Sequence, residues 1–138
     1  MNLNISGFNI KLNGNFDDKT INKLSDYKST ITNTKPDLEI TYISDDNILL
    51  DKSEFVGPYK MWYFKETNTG FEMAKFADGV ENALSHVVMN TKEGTALFRN
   101  WDISSLIDRE LYYMLFFGIS EIYSYFIINK ESIMFHSS

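Results

Sequence analysis

The first residues of the chain alternate between apolar and polar positions. Leu3 and Ile5 follow one phase, Ile10 and Leu12 follow another, and the phase slips by one residue near Gly7. Period-two alternation predicts strands with one face on a core. A slip at a glycine is typical of a bulge or of a bend between two strands. This segment therefore predicts either one bulged strand or a pair of strands.

The alternation continues, with interruptions at turn residues, to about residue 101. Two aromatic-rich runs, 59–65 and 71–76, flank a loop that contains Asn68 and Gly70. Such a loop between two strand-like runs predicts a β-hairpin. In the strand after Pro36 the apolar residues occupy every second position. Further strands are predicted at 38–43, 48–50, 82–90 and 95–101.

Helical spacing occurs in two places. Ile21, Leu24 and Tyr27 predict a short helix. Ser105 and Asp108 fit the capping box that opens a helix. A glycine within the helical region that follows allows one continuous helix or a helix split in two. The apolar positions of that region lie three and four apart: Leu106, Ile107, Leu111, Met114, Leu115, Ile119, Ile122 and Phe126.

The order of these elements predicts an α+β fold. Strands come first and a helix follows, and such segregation is typical of an antiparallel sheet with helices on one face. We therefore expect a mainly antiparallel, meandering sheet, with one long or split C-terminal helix packed on it. We expect residues 1–138 to form a single domain. The residues that we expect in the core include Val87, Leu97, Leu111, Leu115 and Ile122.

Composition and charge narrow the classes of partner. Apolar residues make up 43% of the chain and aromatic residues 15%, so it can build a core. The net charge is −6, and an acidic surface repels nucleic-acid phosphates and anionic lipids, so we expect neither nucleic acid nor a membrane as a partner. The apolar stretch 111–128 contains Glu121, which disfavours a membrane span. Since no signal-peptide pattern opens the chain, we expect a cytoplasmic protein.

The residue types that carry most enzymatic chemistry are scarce or scattered. There is no cysteine, and the two histidines, His86 and His136, lie far apart in sequence. The acidic pairs at 17–18 and 45–46 fall in predicted turns, where aspartate serves the backbone, and Glu66 stands in the hairpin loop. Glycine-rich phosphate loops and hydrolase motifs are absent from the sequence. We therefore predict no catalytic residue, no cofactor and no metal site.

A dense group of aromatic residues is the candidate for a binding surface. Tyr59, Trp62, Phe64 and Phe71 belong to the predicted hairpin and the residues leading into it. Aromatic side chains are enriched at interfaces. They are also good strand formers that pack on a core, and this structural role is the more frequent one. An exposed aromatic hairpin face is the functional alternative.

The C-terminal end resembles one known family. A long apolar helical region and a polar connector lead into the run 132–138, which ends in His136-Ser137-Ser138. This arrangement resembles the segment before the nucleotide site in bacterial ATP-binding proteins related to HPr kinase/phosphorylase and to PEP carboxykinase. The resemblance implies an α+β, non-catalytic N-terminal domain of a longer protein, used for recognition or assembly. The family's phosphate loop would lie beyond residue 138, so no catalytic residue is carried over.

Two functions therefore stay open. One is the recognition or assembly domain that the resemblance implies, with a protein or peptide partner. The other is a free-standing module that binds a small ligand or a protein through the aromatic hairpin face. If a following domain covers the C-terminal region in a longer protein, its apolar surface is bare here and seeks a partner. We then expect a homodimer or higher oligomer built around Tyr123, Phe126, Met134 and Phe135.

Overall fold

The protein is described by a computed structural model, and it is mostly β-sheet with short helices. The described residues are 1–5, 7–16, 18–29, 35–45, 47–76, 82–100 and 119–128. The strands are β1 (Asn2–Ile5), β2 (Phe8–Asn13), β3 (Leu38–Ser44), β4 (Ile48–Leu49), β5 (Val56–Tyr59), β6 (Trp62–Thr67), β7 (Gly70–Phe76), β8 (Asn82–Asn90) and β9 (Thr95–Asn100). The helices are α1 (Asp18–Leu24) and α2 (119–128), with 3-10 turns at Ser25–Tyr27 and Lys52–Glu54.

The strands form one nine-stranded sheet in the order β1-β2-β3-β9-β8-β7-β6-β5, with β4 paired to β8 off this path. From β5 to β9 neighbouring strands are antiparallel, as predicted. However, β3 is parallel to both of its neighbours, β2 and β9, so the sheet is mainly antiparallel, as predicted, but mixed, and the meander is interrupted at β3. A parallel pair needs a long connection. The segment between β2 and β3, which carries α1, provides one.

Both predicted turns join hairpins. Ile5 pairs with Phe8, and Gly7 has a positive φ of 87°, so the phase slip marks two strands across a tight turn. In the second hairpin Thr67 pairs with Gly70, and two residues form the loop between β6 and β7. The predicted aromatic hairpin is therefore confirmed. It holds β6 and β7 in a fixed register, which decides what each side chain faces.

One face of the sheet carries the core and is covered by α2. Ile119, Ile122 and Phe126 of α2 are buried against it. The predicted burial of Val87 and Ile122 is confirmed, whereas Leu111 and Leu115 lie outside the described residues. The residues that the strands contribute to this core include Leu3, Ile10, Leu12, Leu38, Ile40, Tyr42, Trp62, Met73, Val87, Met89, Ala96 and Phe98.

Leu97 was expected in the core, and this prediction is wrong. Its neighbours Ala96 and Phe98 are buried, while Leu97 is 37% exposed. Successive side chains of a strand point to opposite faces. Since Phe98 faces the core, Leu97 must face outward. There it lies opposite the exposed Val88 of β8.

A polar contact fixes α2 to β6, which lies near the opposite end of the sheet from β1. The indole Nε1 of Trp62 donates a hydrogen bond to the carboxylate of Glu121 on α2. The Lys75 Nζ lies 3.9 Å from the same carboxylate and 4.5 Å from the centre of the Trp62 ring. On the opposite side of α2 the Tyr123 hydroxyl donates to the Ile5 carbonyl, at 3.3 Å. One side of α2 therefore faces β1 and the other faces β6, with Tyr125 and Ile128 beside the hairpin.

The short helix predicted from Ile21, Leu24 and Tyr27 is present as α1 and the 3-10 turn that follows it. Leu24 is buried, while Ile21 and Tyr27 are exposed, so one residue of the three joins the core. The predicted cap at Ser105 and Asp108 lies outside the described residues. Within the described ranges, no helix combines the length and the apolar content that a membrane crossing requires.

Candidate functional site: a groove beside the hairpin

An open groove of ≈ 680 Å³ lies between the hairpin, the end of β5 and the last turns of α2. A volume of about 300–1,000 Å³ is typical of sites that hold a small molecule or a short segment of chain. Its walls combine apolar and aromatic side chains with a charged rim. The residues that line it are Glu54, Val56, Phe64, Lys65, Glu66, Phe71, Tyr125 and Ile128.

The groove exists because β5 is shorter than β6. The two strands pair at Val56 with Phe64 and at Tyr59 with Trp62. Before Val56 the chain turns away through the 3-10 turn Lys52–Glu54. The last three residues of β6 therefore have β7 on one side and, among the described strands, no partner on the other. The groove lies beside this unpaired stretch and extends over the sheet face that carries Phe64 and Glu66, below Tyr125 and Ile128 of α2.

The inner wall is aromatic. In the hairpin register Phe64 pairs with Met73 and Phe71 pairs with Glu66, so Phe64, Glu66 and Phe71 project from one face. Tyr125 of α2 meets Phe64 edge-on, with 5.0 Å between the ring centres. Burial raises the pKa of the Tyr125 hydroxyl, which keeps this group neutral and able to donate a hydrogen bond.

Two exposed aliphatic side chains form the outer lips of the groove. Val56 on β5 is 79% exposed and Ile128 at the end of α2 is 60% exposed. Single exposed apolar residues are common on protein surfaces and need no explanation. Here, however, the two lips face a shared concave surface that also contains Phe64 and Phe71. Val56, Ile128 and the partly buried Phe64 make an apolar wall that solvent reaches, while Phe71 is only 7% exposed and belongs to the core.

The rim is acidic on balance. The Lys65 Nζ lies 2.7 Å from a carboxylate oxygen of Glu54 and 3.9 Å from one of Glu72. The hydrogen bond with Glu54 raises the pKa of Lys65, so this lysine stays charged and its charge is already matched. By contrast, no cation of the described residues lies within ion-pair distance of Glu66. The groove therefore keeps an unmatched negative charge at Glu66.

The rim is connected to a hydrogen-bonded row across the outer face of the sheet. Glu72 lies 2.7 Å from Nε2 of His86, and Nδ1 of His86 lies 2.6 Å from Nη2 of Arg99. Arg99 also bonds Asp45 at 3.3 Å. Since Arg99 can only donate, Nδ1 accepts and the neutral ring donates from Nε2 to Glu72. Burial lowers the pKa of His86, with Arg99 adding to this and Glu72 opposing it, which favours that neutral form.

His86 was interpreted as a sheet-face residue and not as a metal ligand. It lies on β8 and is buried, with both ring nitrogens hydrogen-bonded. Within the part of the chain that the structure describes, no three histidine, aspartate or glutamate side chains are placed to hold a metal ion. The second histidine, His136, lies outside those residues.

The four aromatic residues proposed from the sequence separate into different environments. Phe64 and Phe71 line the groove together. Trp62 is only 1% exposed and is bonded to α2, so its ring is not offered to a partner. Tyr59 is exposed on β5 but is not among the groove-lining residues. The register places Trp62 and Phe64 on the same face, so the predicted aromatic face is narrower than expected because α2 covers Trp62 and Tyr59 lies outside the groove.

The C-terminal surface expected around Tyr123 and Phe126 is not bare at these residues. Phe126 is buried in the core, and Tyr123 is half-buried with its hydroxyl bonded to β1. The other two residues of that prediction, Met134 and Phe135, lie outside the described residues. The exposed apolar residue of α2 is instead Ile128, at the groove.

No protein-family model, curated protein or solved structure matches this chain. The resemblance to HPr-kinase-like proteins therefore stays a prediction, and its motif at 132–138 lies outside the described residues. The groove and its immediate surroundings are the physical basis on which a function can be proposed.

Proposed function

We propose that the chain is a non-catalytic binding module whose recognition site is the hairpin groove. The observation that carries this proposal is the convergence of two exposed aliphatic lips, Val56 and Ile128, with the aromatic wall of Phe64 and Phe71 on one concavity. Burying apolar surface gives about 25 cal/mol per Å² of area removed from water. A ligand that covers Val56, Ile128 and the exposed part of Phe64 would therefore bind mainly by the hydrophobic effect.

The surroundings of the groove favour binding over catalysis. General acid–base catalysis needs a side chain within hydrogen-bond reach of the reacting group. His86 belongs to the row behind the rim, is buried, and has both nitrogens engaged. Lys65 is held by Glu54 and Glu72. His86 and Lys65 are thus already engaged in hydrogen bonds and ion pairs with other side chains of the protein.

The proposal is compatible with both functions that the sequence left open. A recognition groove would serve a domain of an HPr-kinase-like protein, and it would equally serve a free-standing module. Between the partner types, the strand edge beside Glu66 favours a protein or peptide over a small ligand, since an extended chain can pair with it. The expectations of a cytoplasmic protein and of a homodimer remain predictions.

The proposal is tested by titrating the protein with Nile red, a neutral apolar dye that fluoresces when it leaves water. Val56→Glu and Ile128→Glu each place a charge on a lip of the groove. Both positions are exposed, so the fold should be disturbed by no more than about 0.5 kcal/mol. We expect the dye to bind the wild-type chain and to bind either variant about tenfold more weakly, since about 1.4 kcal/mol corresponds to a factor of ten.

The matched control is Leu49→Glu. Leu49 on β4 is 65% exposed and lies outside the groove, so the variant gains the same charge on a similarly exposed strand residue. Its affinity for the dye should equal that of the wild type. Equal binding by all four proteins, or an equal loss in the control, would show that the groove is not the binding site.

A further inference from the structure

We propose that the occupant of the groove is an extended peptide segment that pairs with the free edge of β6 and directs a lysine or arginine side chain towards Glu66. This inference rests on the proposed function, because it names the partner of the same groove. It is carried by the unpaired edge of β6, by the register of the hairpin and by the unmatched charge at Glu66.

The edge beside the groove is open where other edges of the sheet are protected. The outer edge of β5 contains Pro58, which has no N–H to offer a further strand. Along β1, Leu3 forms a bridge with Lys28, and the Ser29 N–H donates to the Asn2 carbonyl at 2.8 Å. The stretch of β6 from residue 65 to residue 67 has no such cover among the described residues. An unpaired edge accepts an extended chain through backbone hydrogen bonds.

The groove lies next to this edge, with Val56, Lys65 and Glu66 among its lining residues. A segment that continues the line of β5 would enter the groove just beyond Val56 and run beside Glu66. In an antiparallel pair, residues directly opposite each other project from the same face. The residue of the partner opposite Glu66 would therefore project onto the face that carries Phe64 and Phe71. Its neighbours on either side would point to the outer face of the sheet.

The chemistry of that position favours a long cationic side chain. The aliphatic stem of lysine or arginine can lie along apolar surface while its charged end stays in water. The partly buried ring of Phe64 offers such a surface, and aromatic rings also attract cations. At the end of the stem the carboxylate of Glu66 has no described cation partner. Lys65 does not compete for it, because Glu54 and Glu72 hold that lysine.

The overall charge acts in the same direction. A net charge of −6 attracts cationic segments and repels acidic ones before contact is made. The peptide position opposite Glu66 should therefore distinguish cationic from neutral and acidic side chains. The lips of the groove should contribute to the affinity for all of these peptides alike. These two contributions can be separated, because they depend on different residues.

The test uses capped pentapeptides that alternate threonine and valine around a central residue. In the first peptide the central residue is lysine, in the second norleucine, which keeps the stem without the charge, and in the third glutamate. A fourth peptide carries the central lysine with methylated backbone nitrogens, which prevents edge pairing. Binding is measured by displacement of Nile red and by amide shifts of residues 65–67 in isotope-labelled protein.

We expect the lysine peptide to bind about tenfold more tightly than the norleucine peptide, which corresponds to about 1.4 kcal/mol. The glutamate and methylated peptides should bind more weakly than either. Glu66→Gln should remove the preference for lysine and leave the norleucine affinity unchanged. Asp26→Asn is the control, since it removes the same charge from an exposed residue of the 3-10 turn beside β1. It should leave the preference intact.

The outcomes separate this inference from the proposed function. If Nile red binds in the groove but the lysine and norleucine peptides bind equally, or methylation has no effect, the inference is wrong and the binding module stands. If neither dye nor peptide binds, both are wrong. If sedimentation shows a dimer that Ile128→Glu dissociates, the groove is filled by a second copy of the chain, and the inference is again wrong.

Discussion

Acidification should weaken the fold through His86. The buried ring lies between Glu72 of β7 and Arg99 of β9, with Lys65 beyond Glu72 and Asp45 beyond Arg99. Protonation would place a proton on Nδ1, which now accepts from Arg99, and would set two positive groups against each other. Burial lowers the pKa of His86 below its ordinary value of 6.5. At pH values between 6.5 and the lower pKa that His86 has in the folded state, the unfolded chain therefore binds more protons than the folded chain.

The size and sign of the effect follow from proton linkage. Stability decreases as pH falls whenever the unfolded state binds more protons, by at most about 1.4 kcal/mol per pH unit for one group. The contribution of His86 is therefore fully present above about pH 6.5 and declines as the pH falls towards the folded value. Acidification through that window should therefore lower the free energy of unfolding, with a slope that cannot exceed the limit for one group.

Urea unfolding of the wild type and of His86→Gln, between about pH 7.5 and 5.5, measures this contribution. The variant lacks the titrating ring, while all other groups remain, including His136. The difference between the two pH slopes therefore isolates His86. Equal slopes would refute the reasoning. A wild type that gains stability on acidification relative to the variant would show that Glu72, and not burial, controls the imidazole, and a nuclear magnetic resonance titration of the ring would confirm it.

The remaining predictions concern α2, the two faces of the sheet and nucleotide binding. Trp62→Phe removes the indole donor and should lower the free energy of unfolding by about 2–3 kcal/mol, because the half-buried carboxylate of Glu121 loses a charged hydrogen bond. Glu121→Gln keeps an acceptor, so it should lower the free energy of unfolding by less in the same urea titration. Ile122→Ala should cost about 2–5 kcal/mol, while Leu97→Ala on the outer face should change stability by less than about 0.5 kcal/mol; equal effects would contradict the assignment of faces. ATP should not bind measurably in a calorimetric titration, since the sequence contains no phosphate loop, and a micromolar affinity would contradict this.

Local patterns in the sequence were sufficient for most strands and for the β6–β7 hairpin, but not for β5, since the predicted run 59–65 contains the end of β5, a turn at residues 60–61 and the start of β6. The alternation at Leu38, Ile40 and Tyr42 identified the buried face of β3, and the slip near Gly7 identified a turn. These features depend on residues that are adjacent in the chain. The insertion of β3 between β2 and β9 depends on pairing between distant segments, and no local pattern contains that information.

The candidate site was predicted only in part for a related reason. Phe64 and Phe71 could be found because they share one hairpin. Tyr125 and Ile128 belong to a helix whose predicted apolar positions included neither residue, and the packing of one side of α2 against β6 brings them to the hairpin. Trp62 has the packing role that was given as the more frequent one for these aromatic residues, and its bond to Glu121 depends on tertiary structure, which the sequence pattern does not contain.

The position of β3 also has a consequence for how the chain folds. The hairpins from β5 to β9 join residues that are close in sequence, so they can form early and independently of the N-terminal strands. The pairing of β3 with β9 joins Thr41 to Leu97 and can form only after the whole intervening segment has been brought back. Proteins with such high contact order fold slowly, since the entropy of closing long loops is lost before the contacts form. The hydrophobic edge of the β5–β9 unit is therefore exposed until β3 docks, and this interval is when the nascent chain is most prone to aggregate.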